Sequence, residues 1–211
     1  MIMTVEALPL DETFAVPADA AALDRAAAAL RENGFVVHIV DTIADARSLL
    51  GELLPRDREI FTASSQTLEL SGITADIDES GEYVSVRAKA GPPSADVWDT
   101  VRLGATPEVV VGSVHAVTED GHLLAGSASG SQLAPYAAGA KLAYWVVGAQ
   151  KIVPDVATGL RRIHSYSLPR ESARLQERYN QTSFIGRILI LEREAFPDRG
   201  HVILVREAAG F

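Results

Sequence analysis

The apolar positions divide the chain into alternating helix-sized and strand-sized pieces. Residues 18–33 are alanine-rich around Leu23 and Leu30 and predict a helix that Asn33-Gly34 stops with a left-handed turn. Phe35 to Val40 is an unbroken apolar run and reads as a buried strand. Thr42 and Asp45 form a capping-box variant. They open a helix whose Ile43, Ala46, Leu49, Leu50 and Leu53 share one face, and Pro55 closes it. Glu59 to Ala63 is a second strand, followed by a polar turn and a short helix ending near Ser71-Gly72. Strand, helix, strand, helix in this order predicts right-handed crossovers on a mostly parallel sheet.

Further along, Gly81, Gly91, Pro92 and Pro93 punctuate residues 74–94, and Tyr83 to Val86 fits either a strand or an ordered loop. Ser94 caps a predicted helix to Leu103, with Val97, Trp98 and Val101 inward. Glu108 to Val117 reads as one strand bent at Gly112, Glu119-Asp120-Gly121 as a turn, and His122 to Ala125 as the returning strand. A Gly/Ser loop (126–131) leads to a short helix, and Lys141 to Val147 is a strand on which Tyr144 and Trp145 face opposite ways. Val153 to Tyr166 is predicted helical, with Val156, Leu160 and Ile163 on one face. Pro169 opens another helix to about Tyr179, where Glu171 and Arg174 pair on an exposed face. Arg187 to Leu191 and His201 to Val205 read as closing strands. The expected organisation is an irregular lead-in (1–17) and one α/β domain (18–211).

Composition narrows the function. With 47% hydrophobic residues over 211 positions, a substantial core is available. The absence of cysteine excludes a disulfide framework, thiolate zinc or iron–sulfur ligation by this chain, and a cysteine nucleophile. A net charge of −9 argues against nucleic-acid binding, which needs Lys and Arg to neutralise phosphates. The N-terminal residues lack a basic, then apolar, leader, and no apolar run approaches the roughly 20 residues a membrane helix needs. A cytoplasmic protein is the expectation. The five histidines show no metal-ligating spacing, so neither a metal nor a cofactor is expected.

Three polar segments are candidates for chemistry. In Gly126-Ser127-Ala128-Ser129-Gly130-Ser131-Gln132, glycines permit close backbone approach, and hydroxyls with free N–H groups suit an anion. The segment is neither a P-loop, lacking Lys-Ser/Thr after its second glycine, nor a nucleophile elbow, because Ala128 stands where the serine should be. Ser64, Ser65 and Gln66 follow a strand end and serve either to cap the next helix or to form a second wall of the same crevice. Glu119 in its turn is the candidate nucleophile or base. His115 reads as a core or rim residue, and Lys141 and Lys151, flanking a strand, serve either to meet a phosphate or carboxylate or as exposed lysines.

Several blocks in one order, Val110 to Gly121, Ala128 to Leu133, Trp145 to Val153 and Leu168 to Ser172, resemble the LUD domain family of lactate-utilisation proteins. The resemblance implies a three-layer α/β/α sandwich with a mostly parallel sheet, like that of glucosamine-6-phosphate deaminase, ribose-5-phosphate isomerase and CoA transferases. It also implies a small anionic metabolite as ligand, iron–sulfur oxidoreductase subunits as partners carrying any cluster, and by analogy with the fold a homodimer. Val117-Thr118-Glu119-Asp120-Gly121 departs from the Ala-Glu-Thr-Gly-Thr-like stretch of many relatives. Glu119-Asp120-Gly121 is similar to the Glu-Asn-Gly turn of CoA transferases, in which the glutamate attacks an acyl thioester. Three readings follow: a LUD-type subunit of lactate-like metabolism binding an anion at the strand ends; a free-standing acyl-transfer or sugar-phosphate isomerase-type enzyme using Glu119; and a structural or regulatory partner without chemistry.

Overall fold

Alternation of side chains along the strands decides how the layers stack. The computed structural model describes residues 9–90 and 97–211. Residues 1–8 of the lead-in, Gly91, Pro92, Pro93 and the helix start expected at Ser94 lie outside them. One sheet holds six strands, all parallel, in the order β1 (Val36–Val40), β10 (Gly200–Val205), β7 (Leu142–Gly148), β4 (Val109–Gly112), β2 (Glu59–Thr62) and β3 (Val84–Ser85). Phe61, Val110, Trp145, Val147, Val202 and Leu204 point to one face and pack against α1 (Ala20–Glu32). Ile60, Val109, Val111, Tyr144, Val146, Ile203 and Val205 point to the other, against α2 (Ile43–Leu53), α3 (Gln66–Ser71) and α4 (Ile73–Asp78). Tyr144 and Trp145 thus lie on opposite faces, as their adjacency requires. The result is a three-layer α/β/α sandwich.

Local signals account for the helix ends. Asp19 caps α1 by accepting from the Ala22 N–H (2.8 Å). Thr42 and Asp45 complete the capping box of α2. Short helices α5 (Val86–Ala90) and α6 (Val97–Leu103) flank the segment outside the described residues. On α6 Trp98 is exposed rather than inward and Val101 is partly buried, while the side chain of Val97 lies outside those described.

The second sheet overturns two expectations. Glu108 to Val117 is not one bent strand, because the chain leaves the first sheet after Gly112. It enters a four-stranded sheet as β5 (Ala116–Thr118), beside β8 (Ile152–Val153) and antiparallel to β6 (Leu123–Ser127), which pairs in turn with β9 (Arg187–Leu191). Nor are the last two strands partners: β9 closes the second sheet, while β10 lies inside the first. Gly126 and Ser127, expected in a loop, end β6 opposite Ile188 and Arg187.

The helix after β8 is also continuous rather than double. α7 (Val156–Arg162) passes through a π-helical turn, Ile163–Ser167, into α8 (Leu168–Tyr179). Pro169 has no N–H to give the Ser165 carbonyl, which accepts from the Asp11 N–H instead (2.8 Å). A third apolar cluster, including Ala116, Leu124, Ile163 and Tyr166, joins this helix to the outer face of the second sheet.

The junction between the sheets is locked by one tyrosine. Tyr136, fully buried, accepts from the Ser113 N–H (3.1 Å) and donates to the Ser113 carbonyl (3.0 Å). Its hydroxyl occupies the space a side chain would need at position 112: a Cβ there would lie 1.7 Å from it. Gly112→Ala should therefore destabilise the fold by about 1–3 kcal/mol or more, as overpacking does, measured as a lowered urea midpoint.

Candidate functional site

All six strands of the first sheet end on one edge, which brings together segments far apart in sequence. A cleft of about 670 Å³ opens there. The chain beyond β2 contributes Ala63 to Gln66, the chain beyond β4 contributes Ser113 to His115, and a 3-10 turn after β7 (Ala149–Lys151) contributes Lys151. The end of β6 arrives from the second sheet, and Ser167, Arg174 and Arg178 on the long helix form the far wall.

Most of the polar residues expected to converge do so. Ser64, Ser65, Gln66, Gly126, Ser127, Ser129, Ser131 and Gln132 all line the cleft. Ser65 begins α3 without a side-chain capping bond, so its hydroxyl is not consumed as a helix cap. The Gly/Ser segment spends several donors on itself. Ser127 Oγ accepts from the Gly130 N–H (2.9 Å) and donates to Gln132 Oε1 (3.0 Å), and Gln132 Nε2 donates to the Gly126 carbonyl (3.3 Å). Gly130 is not part of the lining. It adopts φ +86 in the turn, and a Cβ there would lie 2.9 Å from Arg187 Cδ.

Glu119 lies elsewhere. The hairpin turn that carries it packs on the end of α1, where Asn33 Nδ2 donates to the Asp120 carbonyl (3.0 Å) and Arg25 Nε donates to Glu119 Oε2 (2.6 Å). Gly126 and Ser127 lie at the far end of β6 from this turn, and the four steps from Leu123 to Ser127 at about 3.3 Å each span about 13 Å. Closeness in sequence therefore does not become closeness in space.

Two basic side chains are enclosed here, Lys151 on the cleft lining and Arg162 buried outside it. Lys151 is 2% exposed, and its Nζ donates to Thr67 Oγ1 (2.9 Å) and Ser113 Oγ (3.0 Å). Arg162 is fully buried. It donates to the carbonyls of Gln150 and His115 and to Ser167 Oγ, its guanidinium lies 4.9 Å from the Tyr166 ring centre, and its Nη2 has no partner. No described carboxylate pairs with either cation. Burial, then the charge of Arg162, pushes the Lys151 amine well below the usual lysine range. Arg162 itself is pulled down by burial to about 10. His115 Nδ1 accepts from the Gly126 N–H (3.1 Å), so the neutral ring carries its proton on Nε2. Burial, then Lys151 and Arg162, lowers His115 to about 3.

Nearer the mouth, two of the three arginines are matched by glutamates. Arg174 pairs with Glu171 (2.7 Å), partly buried on the cleft wall rather than on an exposed face, and Arg178 pairs with Glu69 (2.9 Å). Arg87 Nε donates to the Thr62 carbonyl (2.6 Å), and its guanidinium stacks 4.7 Å from the Phe61 ring. Among the described residues no group of three or more His, Asp or Glu is arranged to hold a metal, and no helix is long and apolar enough to cross a membrane.

A family model described as the LUD domain matches residues 23–205. The chain belongs to the LUD domain family. A solved structure described as a DUF162 family protein from Deinococcus radiodurans is similar over 90% of this chain and 99% of its own, with a TM-score of 0.53 and 14% identity, a likeness of fold. Comparison with curated proteins returns no match.

In this LUD domain the residue whose setting the sequence misrepresents is Lys151. Lys141 is exposed, as expected, whereas Lys151 is enclosed. The available signal was its place inside Trp145 to Val153, a stretch whose other members are nearly all small or apolar. His115, read as a core or rim residue, lines the cleft, and Arg162, which no local pattern singles out, is buried outside that lining.

The buried histidine gives a pH signature. Below its ordinary value of 6.5 the unfolded chain takes up a proton that folded His115 refuses until about pH 3. Stability should therefore fall as pH drops through that window. His115→Gln keeps an acceptor for the Gly126 N–H and removes the titration. Its denaturant midpoint should fall less than that of the parent protein between about pH 7 and about pH 4.

Proposed function

We propose that the cleft of this LUD domain binds a small carboxylate of lactate-like organic-acid metabolism. The observation that carries the reading is Lys151, an enclosed amine on the cleft lining, with the guanidinium of Arg162 buried nearby and no described carboxylate beside either. Burying an ion without a counter-charge costs several kcal/mol. A carboxylate entering the cleft supplies the negative charge that buried Arg162 lacks, so its binding is favoured by relief of a cost the empty protein already bears. The hydroxyls of Ser65 and Ser129 and the Nε2–H of His115 add neutral donors suited to a carboxylate and a neighbouring hydroxyl or carbonyl oxygen. Electrons leaving such an acid would pass to iron–sulfur oxidoreductase subunits, since no cysteine of this chain can hold a cluster.

Glu119 has no part in this reading. Its carboxylate is engaged by Arg25, and its turn lies outside the cleft lining.

A thermal-shift titration with L-lactate and pyruvate, against chloride at equal ionic strength, tests the proposal. A ligand at about a hundred times its Kd adds about 2.7 kcal/mol of stability, a rise of several degrees. Lys151→Met should lose that shift while leaving the ligand-free melting temperature unchanged or higher, because an apolar side chain of similar length replaces a buried polar one. Glu119→Gln should keep the shift. Carboxylate binding that survives Lys151→Met and is lost in Glu119→Gln would overturn the reading.

A further inference from the structure

The hydrogen bonds around Lys151 Nζ have a fixed direction. Thr67 Oγ1 gives its only proton to the Ala209 carbonyl (3.1 Å), and Ser113 Oγ gives its own to the Val146 carbonyl (2.6 Å). Each hydroxyl can therefore only accept from the lysine. A neutral amine has two N–H bonds and one lone pair. With both N–H bonds committed to Thr67 and Ser113, the lone pair takes the remaining tetrahedral position. An ammonium would carry a third N–H there, and no described residue accepts it, while buried Arg162 repels the charge. Thr67 and Ser113 come from different elements, and each is pinned independently, Ser113 by Tyr136 and Thr67 by residues 209–210. The amine is thus aimed as well as neutralised.

We infer that Lys151 is a nucleophilic amine that condenses with the carbonyl carbon of a 2-oxo carboxylate held in the cleft. This rests on the carboxylate reading above and adds the substrate class. In the step, the Nζ lone pair forms a bond to the carbonyl carbon, and the carbon–oxygen π pair moves to oxygen. That oxygen then departs as water, taking both amine protons with it and leaving a carbon–nitrogen double bond. Amine and carbonyl give imine and water, with no change of oxidation state. His115 Nε2–H, whose proton is fixed by the Gly126 contact on the other nitrogen, is a donor for the oxygen as charge builds on it.

The chain has only three lysines, which makes the test selective. Lys89 and Lys141 sit in exposed ion pairs with Glu59 and Glu108. An ordinary lysine is neutral in only about one molecule in a few thousand at neutral pH, so these two serve as internal references. The full chain is incubated with pyruvate, reduced with cyanoborohydride, and read by intact mass and peptide mapping. The expected product is one adduct, pyruvate less water plus two hydrogens, on Lys151 at a level at least about tenfold above Lys89 or Lys141. L-lactate, which has no ketone, should give none, and Lys151→Met should give none. If pyruvate raises the melting temperature but the adduct is absent or spread over Lys89 and Lys141, the nucleophile inference falls and carboxylate binding stands. If neither acid raises the melting temperature and no adduct forms, both fall together.

Discussion

Positive charge held in the interior without a negative partner is the constraint around which this protein is organised. Lys151 and Arg162 are enclosed, yet only hydroxyls, carbonyls and one aromatic ring attend them. Holding them there requires dipoles brought from many places. β7 delivers Lys151, β4 delivers Ser113, α3 delivers Thr67, and the π-helical turn delivers Ser167. The two hydroxyls that accept from Lys151 are braced in turn. Tyr136 grips both backbone polar groups of Ser113, and Gln150 ties residues 209 and 210 beside Thr67 through bonds of 3.0–3.2 Å.

Such an arrangement is a poor way to build stability and a good way to build a binding site. Natural proteins keep strained or unmatched groups where the surrounding structure over-determines them, and these cluster at functional positions. Here the contrast within one cleft is informative. At the mouth Arg174 and Arg178 have glutamates, so their charges are matched whether or not anything is bound. Deeper in, Arg162 has no carboxylate partner among the described residues, and that difference supports the proposal of a negatively charged guest.

The layers were legible in the sequence, and their connections were not. Leu23 and Leu30, the Thr42–Asp45 box and the Phe35 to Val40 run announce elements through local spacing, which hydrogen bonds within a few residues enforce. Gly112 announces nothing of the kind. That the chain leaves one sheet there depends on Tyr136 standing in its way, a contact 24 positions distant in sequence. For the same reason β9 and β10, alike in composition, could not be assigned to different sheets. The strand-end convergence of Ser64, Gly126 and Ser131 was readable because parallel sheets finish on one edge. The displacement of Glu119 was not, since it depends on how far β6 carries the chain. Lys141 and Lys151 look equivalent in one dimension, and only the packing of a second sheet over β7 makes one of them interior.

The wide turn at Ile163–Ser167 carries a consequence for how this cleft arose. Ser167, Glu171, Arg174 and Arg178 follow one another at intervals of four, three and four, a single stripe along the helix. An α-helix rotates about 100° per residue, so losing one position from the wide turn would swing that whole stripe away from the strand ends. One residue more or less in that turn is then enough to decide whether this row of polar side chains faces outward or forms a wall. Chemistry can be gained by changing the phase of a helix while every side chain on it stays the same.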